Sequence, residues 1–229
     1  MLRSIHALYN VKLGAIDGEV GHVKDFYIED QNWAVRYLVV DTASWLTGRQ
    51  VLISPHAFGG IDSSGRVLCV NLTKQQIKDS PIIETHMPVS RQFEKEYYRH
   101  YGLPFYWQDE SLWDLSSLPN VVQPPCPLPK ETPPPPDADS EKVDPHLRST
   151  RDTNGYHIQA TDGSIGHISD FLVDDQSWVI RQLVVKTGLW FAGKEVVIPT
   201  ISVSQITYKE RTVYVELTQA GVKASPPLP

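Results

Sequence analysis

The sequence predicts a mainly β protein with two small antiparallel β-barrels and a short helical, aromatic segment after the first. Three observations predict it. One stretch recurs at an offset of about 145 residues, each copy is rich in short strand patterns, and a proline-rich stretch lies between the copies. We therefore expect a domain at 1–82, a helical aromatic extension at 83–115, an acidic linker at 116–150 and a second domain at 151–229.

The repeat is clearest in two runs. Residues 17–26 match residues 162–171, and residues 30–33 match residues 175–178. Two copies are too few, and the spacing is too long, for a solenoid. A duplicated domain is the simpler interpretation, with each copy expected to enclose its own apolar interior.

Strand patterns follow in order along the first copy. Asp17-Gly18 lies between short apolar stretches, which is typical of a tight hairpin. Residues 34–40 are apolar on both faces apart from Arg36, which indicates a central strand covered on both sides. Residues 50–53 form another short strand pattern.

The last strand is best predicted by comparing the copies. The apolar positions shared by residues 67–72 and 212–217 recur with a period of two. This period places Cys69 and Tyr214 on the face away from the core. Thr73 and Thr218 follow as predicted N-caps of short helical turns.

Residues 116–150 differ in character from both copies. The chain has 18 prolines, and they cluster here among acidic residues. Proline removes backbone donors and favours extended backbone, so the stretch is expected to be a semi-rigid spacer. A ligand for a proline-binding groove is the alternative.

The motif set resembles the PRC-barrel family. It consists of Asp-Gly-x-x-Gly-His-x-x-Asp-Phe, then Asp-Gln-x-Trp-x-x-Arg-x-Leu-Val-Val, then Trp-x-x-Gly-x-x-Val-x-Ile, in residues 17–53 and again in the second copy. The resemblance covers residues 4–82 and 151–226. The family includes the cytoplasmic domain of a photosynthetic reaction-centre subunit and a domain of a bacterial ribosome maturation factor. It implies a small β-barrel and leaves the activity open.

Composition limits the classes of partner and binding site that we expect. The formal net charge is -6, which argues against a phosphate-binding face and so against nucleic acid. Two cysteines cannot by themselves form a disulfide framework or a structural zinc site. With no apolar run of membrane-spanning length and no leader pattern, we expect a cytoplasmic protein. The resemblance implies a bacterial protein, and no motif in the sequence predicts a cofactor.

An arginine recurs within an apolar strand of each copy. Arg36 and Arg181 need partners there, because a buried unpaired charge is costly. Asp25 and Asp170 are the expected partners, which predicts one structural ion pair in each barrel.

A matched histidine follows a glycine in each copy. His22 and His167 invite a proton-transfer or metal role. Neither has a second histidine or cysteine at ligand spacing, so an orienting or packing role is favoured.

Large apolar residues occupy a strand-connecting loop of each copy. Trp45-Leu46 and Trp190-Phe191 are the main predicted interaction surface, since such residues are costly to leave in water. Either each loop covers the other barrel, within the chain or in a homo-oligomer, or each tryptophan folds back onto its own barrel.

A helix capped by Ser90 is predicted to run to Tyr101, followed by an aromatic cluster. Tyr97, Tyr101, Phe105 and Trp107 either pack on a barrel or stack on nucleic-acid bases. Packing is favoured.

Function is predicted by elimination as much as by resemblance. The sequence has no nucleophile elbow, phosphate-binding loop, zinc motif or dinucleotide fingerprint. We therefore expect a non-enzymatic scaffold or adaptor that binds an unidentified protein. The alternatives are an adaptor in ribosome maturation and an accessory protein of a photosynthetic or respiratory complex.

Overall fold

The fold is mainly β and consists of two seven-stranded sheets of equivalent topology. The computed structural model describes residues 1–42, 49–62, 65–80, 97–102, 147–188 and 194–225. The first half has the strands β1 (Leu2–Ser4), β2 (Lys12–Ala15), β3 (Gly18–Glu29), β4 (Val35–Asp41), β5 (Gln50–Ile53), β6 (Phe58–Ile61) and β7 (Val67–Val70). The second has β8 (Leu147–Ser149), β9 (His157–Ala160), β10 (Gly163–Asp174), β11 (Ile180–Thr187), β12 (Glu195–Pro199), β13 (Val203–Thr207) and β14 (Thr212–Val215).

Short helical turns complete each half. Ile5–Leu8 follows β1, Thr150–Thr153 follows β8, and Lys74–Lys78 and Gln219–Lys223 follow β7 and β14. The 3₁₀ turns Pro55–Ala57 and Thr200–Ser202 join β5 to β6 and β12 to β13. Residues 97–101 are helical, as predicted.

Each sheet contains one parallel pairing, which the prediction of antiparallel barrels did not include. The strand order is β5-β4-β3-β2-β7-β6 in one sheet and β12-β11-β10-β9-β14-β13 in the other. The pairs β2–β7 and β9–β14 are parallel. β5 and β6 run in the same direction on either side of the 3₁₀ turn. β7 then runs antiparallel to β6 and therefore lies parallel to β2. The hydrogen-bonded path is open, and each sheet is barrel-like.

The local predictions are confirmed where the structure describes them. Asp17-Gly18 forms the β2–β3 hairpin with Gly18 at a φ of 134°. All residues from Val35 to Val40 are buried. Leu68 and Val70 face the core while Cys69 is exposed. Thr73 caps its turn through the Gln76 backbone N–H.

Gly21 and Gly166 are required by close backbone approach. A Cβ on Gly21 would lie 2.1 Å from the Asp41 carbonyl oxygen, and one on Gly166 would lie 2.1 Å from the Lys186 carbonyl oxygen. The long strands β3 and β10 bend closely over β4 and β11 at these points, which is why glycine precedes the matched histidine in both copies.

The first strand of each half is hydrogen-bonded to the sheet of the other half. β1 pairs with β10, and β8 pairs with β3, both antiparallel. We call residues 2–8 and 147–153 the exchanged segments. The predicted linker range 116–150 therefore overlaps a strand, because β8 begins at Leu147.

The apolar interior is continuous across the two halves, which corrects the expectation of two separate cores. One buried cluster contains residues from both sheets. Trp178 of the second half stacks on Phe26 of the first, with ring centroids 6.2 Å apart and an interplanar angle of 20°. Its ring also meets Phe58 edge-on at 4.5 Å.

The turns that contain Trp33 and Trp178, which follow β3 and β10, contact each other about a pseudo-twofold axis. The Val35 N–H donates to the Trp178 carbonyl, and the Ile180 N–H donates to the Trp33 carbonyl, both at 2.8 Å. Trp33 and Trp178 have φ values of 60° and 54°. A bulky residue in the left-handed region costs about 1–2 kcal/mol, so the pairing offsets local strain at both equivalent positions.

Candidate functional site

Two aspartates hold the exchanged segments in place. Asp25 on β3 accepts hydrogen bonds from Ser149 Oγ at 2.5 Å, Thr150 Oγ1 at 2.9 Å and the Arg151 N–H at 3.2 Å. Asp25 also accepts from the Phe26 N–H at 2.8 Å. Its carboxylate therefore binds the start of the helical turn that the second half contributes.

Asp170 on β10 binds the exchanged segment of the first half in the same way. It accepts from Ser4 Oγ, from the His6 N–H at 2.9 Å and from the Phe171 N–H at 2.7 Å. Ser4 and Ser149 also cap their own turns, through the N–H groups of Ala7 and Asp152. The two contacts are related by the repeat.

Burial differs between these carboxylates. Asp25 is 8% exposed, whereas Asp170 is only half-buried. Desolvation raises the pKa of Asp25, and the hydrogen bonds from Ser149 and Thr150 oppose the rise. Tyr9 packs beside this site with its hydroxyl 2.9 Å from Thr150 Oγ1, and burial raises the pKa of Tyr9 to about 12.

An arginine within each exchanged segment forms an ion pair with an aspartate of the other half. Arg3 Nε lies 2.7 Å from Asp175 Oδ2, and Arg148 Nε lies 3.0 Å from Asp30 Oδ2. Residues 3 and 148 are equivalent in the repeat, and so are residues 30 and 175. Each exchanged segment is thus bound through an equivalent arginine–aspartate ion pair.

The structure gives Arg36 a different partner from the predicted one. The Arg36 guanidinium pairs with Glu29, and the hydrogen bonds of Asp25 go to its own strand and the exchanged segment. The strand register explains the difference. Asp25 lies opposite Val39, about 10 Å along the strand from Arg36 at roughly 3.3 Å per residue.

The environment of Arg36 also affects a neighbouring histidine. Burial lowers the pKa of His56, and the charge of Arg36 lowers it further. In the second half, no ion pair joins Arg181 to Asp170 among the residues that the structure describes, and Asp170 binds the exchanged segment instead. Arg181 is half-buried, so solvent reaches it.

His22 lines an open cleft of about 350 Å³ where the two halves meet. Lys24 and Asp41 of the first half line it, together with Arg151 from the exchanged segment. Arg151 Nε donates to the Lys24 carbonyl, and the guanidinium lies 4.3 Å from the Tyr9 ring centroid. His167, by contrast, is exposed.

Metal-binding geometry is absent from the described ranges. Within them, no three histidine, cysteine, aspartate or glutamate side chains come together as a metal site. His22 pairs across the strand with Asp41 in the β3–β4 register, which is a packing position beside the Gly21 contact.

The helical aromatic residues cover the outer face of the first sheet. Tyr97 and Tyr98 are each 1% exposed and pack on Tyr37, with the Tyr97 and Tyr37 centroids 5.3 Å apart. The Ser54 N–H donates to the Tyr97 hydroxyl at 2.6 Å. Burial raises the pKa of Tyr97 far above its usual value and that of Tyr101 to about 12.

The structure thus places Tyr97 and Tyr101 against the barrel, where the packing alternative put them. Their faces are occupied by other rings, since the Tyr97 and Tyr101 centroids lie 4.8 Å apart. The remaining members of the predicted interaction surface fall outside the described residues: Trp45, Leu46, Trp190, Phe191, Phe105 and Trp107. The cap Ser90 also lies outside them.

Sequence reasoning missed the residues that join the halves. Leu2-Arg3-Ser4 recurs as Leu147-Arg148-Ser149 at the same offset of about 145. That match was available as a signal, although it lies before the stronger repeat. Trp33 and Trp178 were visible as a matched pair, but nothing local shows that they insert into the opposite half.

Comparisons with known proteins identify one domain. Residues 149–221, which lie in the second half, match the PRC-barrel domain model. A protein of Deinococcus radiodurans, described only as uncharacterized, is 36% identical over 66 residues, which cover 29% of this chain and 23% of the relative. The match thus spans about a quarter of that relative. Within the described ranges, no helix has the length and apolar character needed to cross a bilayer.

Proposed function

We propose that the first half is a second PRC-barrel domain paired with the one at residues 149–221, and that the pair acts as a non-catalytic protein-binding scaffold or adaptor. The observation that carries the proposal is that the charged groups on the paired strands have structural partners. Among the residues that the structure describes, Asp25, Asp170, Glu29 and Arg36 are charged groups on the long paired strands, and each forms hydrogen bonds or an ion pair that hold the fold together.

The pairing also supports a scaffold. The shared core and the exchanged strands fix the two barrels relative to each other. Residues 43–48 and 189–193 are the loops that join equivalent strands, β4 to β5 and β11 to β12, of the two sheets that share this core. These loops include Trp45-Leu46 and Trp190-Phe191, and tryptophan is enriched at binding hot spots.

We therefore assign partner binding to these two loops. The test is cell crosslinking with the full chain, identification of crosslinked proteins by mass spectrometry, and measurement of binding to the purified partner. The double variant Trp45→Ala and Trp190→Ala should weaken binding at least tenfold, because a hot-spot residue contributes about 2 kcal/mol or more.

A matched control comes from an aromatic outside the loops. Tyr208 is 58% exposed and its ring lies 5.3 Å from the Arg148 guanidinium, so Tyr208→Ala should leave partner binding unchanged and cost at most about 1 kcal/mol of stability. Equal binding by the loop variant and the control would contradict the assignment. Recovery of ribosomal RNA or ribosomal proteins in place of a discrete partner would favour the ribosome-linked alternative.

A further inference from the structure

The exchange between the halves uses the same chemistry in both directions. Arg3 meets Asp175, and Arg148 meets Asp30. The serine that follows each arginine bonds an aspartate of the other half. The strand of each exchanged segment is the tripeptide Leu-Arg-Ser, and each receiving strand has 12 residues.

The contacts do not depend on which molecule supplies the segment. Every interaction between the halves joins residues far apart in sequence, such as Ser149 and Asp25, which are 124 positions apart. A first half from one chain and a second half from another would form the same strands, ion pairs and tryptophan contacts. Only the connector decides whether the two halves come from one chain.

We propose that the half-to-half interface accepts a second copy of this chain, so that two chains form a reciprocally exchanged dimer. In this dimer the first half of each chain pairs with the second half of the other. The inference goes beyond the proposed function, because it names a second partner, the chain itself, at a surface other than the two loops. Exchange of identical elements is a low-cost route to a dimer because no new surface is needed.

The connector determines the concentration at which the dimer forms. A short covalent linker gives an effective concentration on the order of 1 mM, and we take this figure for the stretch between the halves. Below that concentration the closed monomer dominates, and above it the exchanged dimer competes. The two forms interconvert only by separating the halves, so refolding from denaturant sets their ratio.

Two charge variants test the proposal. The acidic variant carries Arg3→Asp and Arg148→Asp, and the basic variant carries Asp30→Arg and Asp175→Arg. Each closed monomer then has like charges at both ion-pair positions. A mixed dimer restores opposite charges at all four positions.

The two variants are refolded separately and together at about 50 µM, which is well below the effective concentration of the tether. Native mass spectrometry and size exclusion then measure the species. We expect monomers of about 25.8 kDa from each variant alone and a 1:1 heterodimer from the mixture. If the co-refolded mixture contains only monomers, the proposal is wrong.

A second measurement decides the matter if the variants fail to fold. Wild-type chains with light and heavy isotopes are refolded together at about 2 mM, above the tether's effective concentration. Mixed-mass dimers that persist on dilution support the exchange, and exclusively monomeric chains overturn it. Loss of dimerisation would leave partner binding through the loops untouched, so the two proposals fail separately.

Discussion

Replacing Asp25 by alanine should destabilise the protein by about 3 kcal/mol. The substitution removes the acceptor of three hydrogen bonds from the exchanged segment. Thr150 is fully buried and cannot turn to water, so its hydroxyl accounts for about 1–3 kcal/mol. Ser149 and Arg151 are partly solvent-accessible and contribute about 0.5–1.5 kcal/mol each.

Together these contributions span about 2–6 kcal/mol, and two opposing effects place the expected loss in the lower part of that range. The Thr150 hydroxyl also lies within bonding distance of Tyr9, which retains one partner for it. Removing the carboxylate also abolishes the cost of desolvating its charge, which the raised pKa of Asp25 reports. The free energy of unfolding is measured from urea denaturation at pH 7 with the m-value checked for constancy.

Asp170→Ala is the matched control. Asp170 is half-buried, and the residue that corresponds to Thr150 is Ile5, which has no hydroxyl. We expect a loss of about 1 kcal/mol, because water replaces the carboxylate at this more open site. If Asp170→Ala costs as much as Asp25→Ala, burial of the acceptor does not set the magnitude, and the reasoning is refuted.

The Asp25 site should also make stability depend on pH. The pKa of an aspartate is near 3.8 in the unfolded chain, and the pKa of Asp25 is higher in the folded protein. Between these two pKa values the folded state therefore binds more protons than the unfolded state. The contribution of Asp25 is therefore fully present below pH 3.8 and is lost as the pH rises through the folded pKa. The deficit of Asp25→Asn relative to wild type should be larger at pH 3.5 than at pH 7, as urea melts at both pH values would show. A deficit that grows with pH would contradict the desolvation argument.

Three further substitutions test the shared core, the close strand approach and the aromatic cover. Trp178→Ala should cost about 3–5 kcal/mol in thermal or urea unfolding because it empties a buried site between the halves; a loss under 1 kcal/mol would mean that the ring is dispensable. Gly21→Ala should reduce the yield of folded protein by forcing a carbonyl contact, whereas Gly188→Ala, with its nearest atom 3.8 Å from the added Cβ, should stay within about 0.5 kcal/mol of wild type. Tyr97→Phe should cost about 1–2 kcal/mol in urea unfolding, since the Ser54 N–H loses its acceptor; an unchanged midpoint would argue against that hydrogen bond.

Patterns that depend on neighbours in sequence were predicted correctly. The hairpin at Asp17-Gly18, the alternation around Cys69 and the Thr73 cap are each encoded within about ten residues. Their structures follow from backbone preferences and from the period of two along a strand. The duplication was equally visible, because it is a property of the sequence itself.

The partners of Arg36 and Asp25 could not be predicted in this way. Both lie in apolar strands and carry opposite charges, so pairing them was the simplest hypothesis. The β3–β4 register separates them and places Glu29 beside Arg36 instead. A bulge shifts such a register by one residue, and the sequence pattern does not locate it.

The sequence by itself therefore determined that this protein has two equivalent β-rich halves, where most of their strands lie and which faces those strands bury. Only the tertiary structure decided that each half completes the other, through strands and tryptophans that cross between them. Local patterns specify that a strand needs a neighbour and that a tryptophan needs burial. Because the two halves carry nearly the same pattern, either one satisfies that need equally well, and the choice between them rests on contacts more than 100 residues apart in the chain.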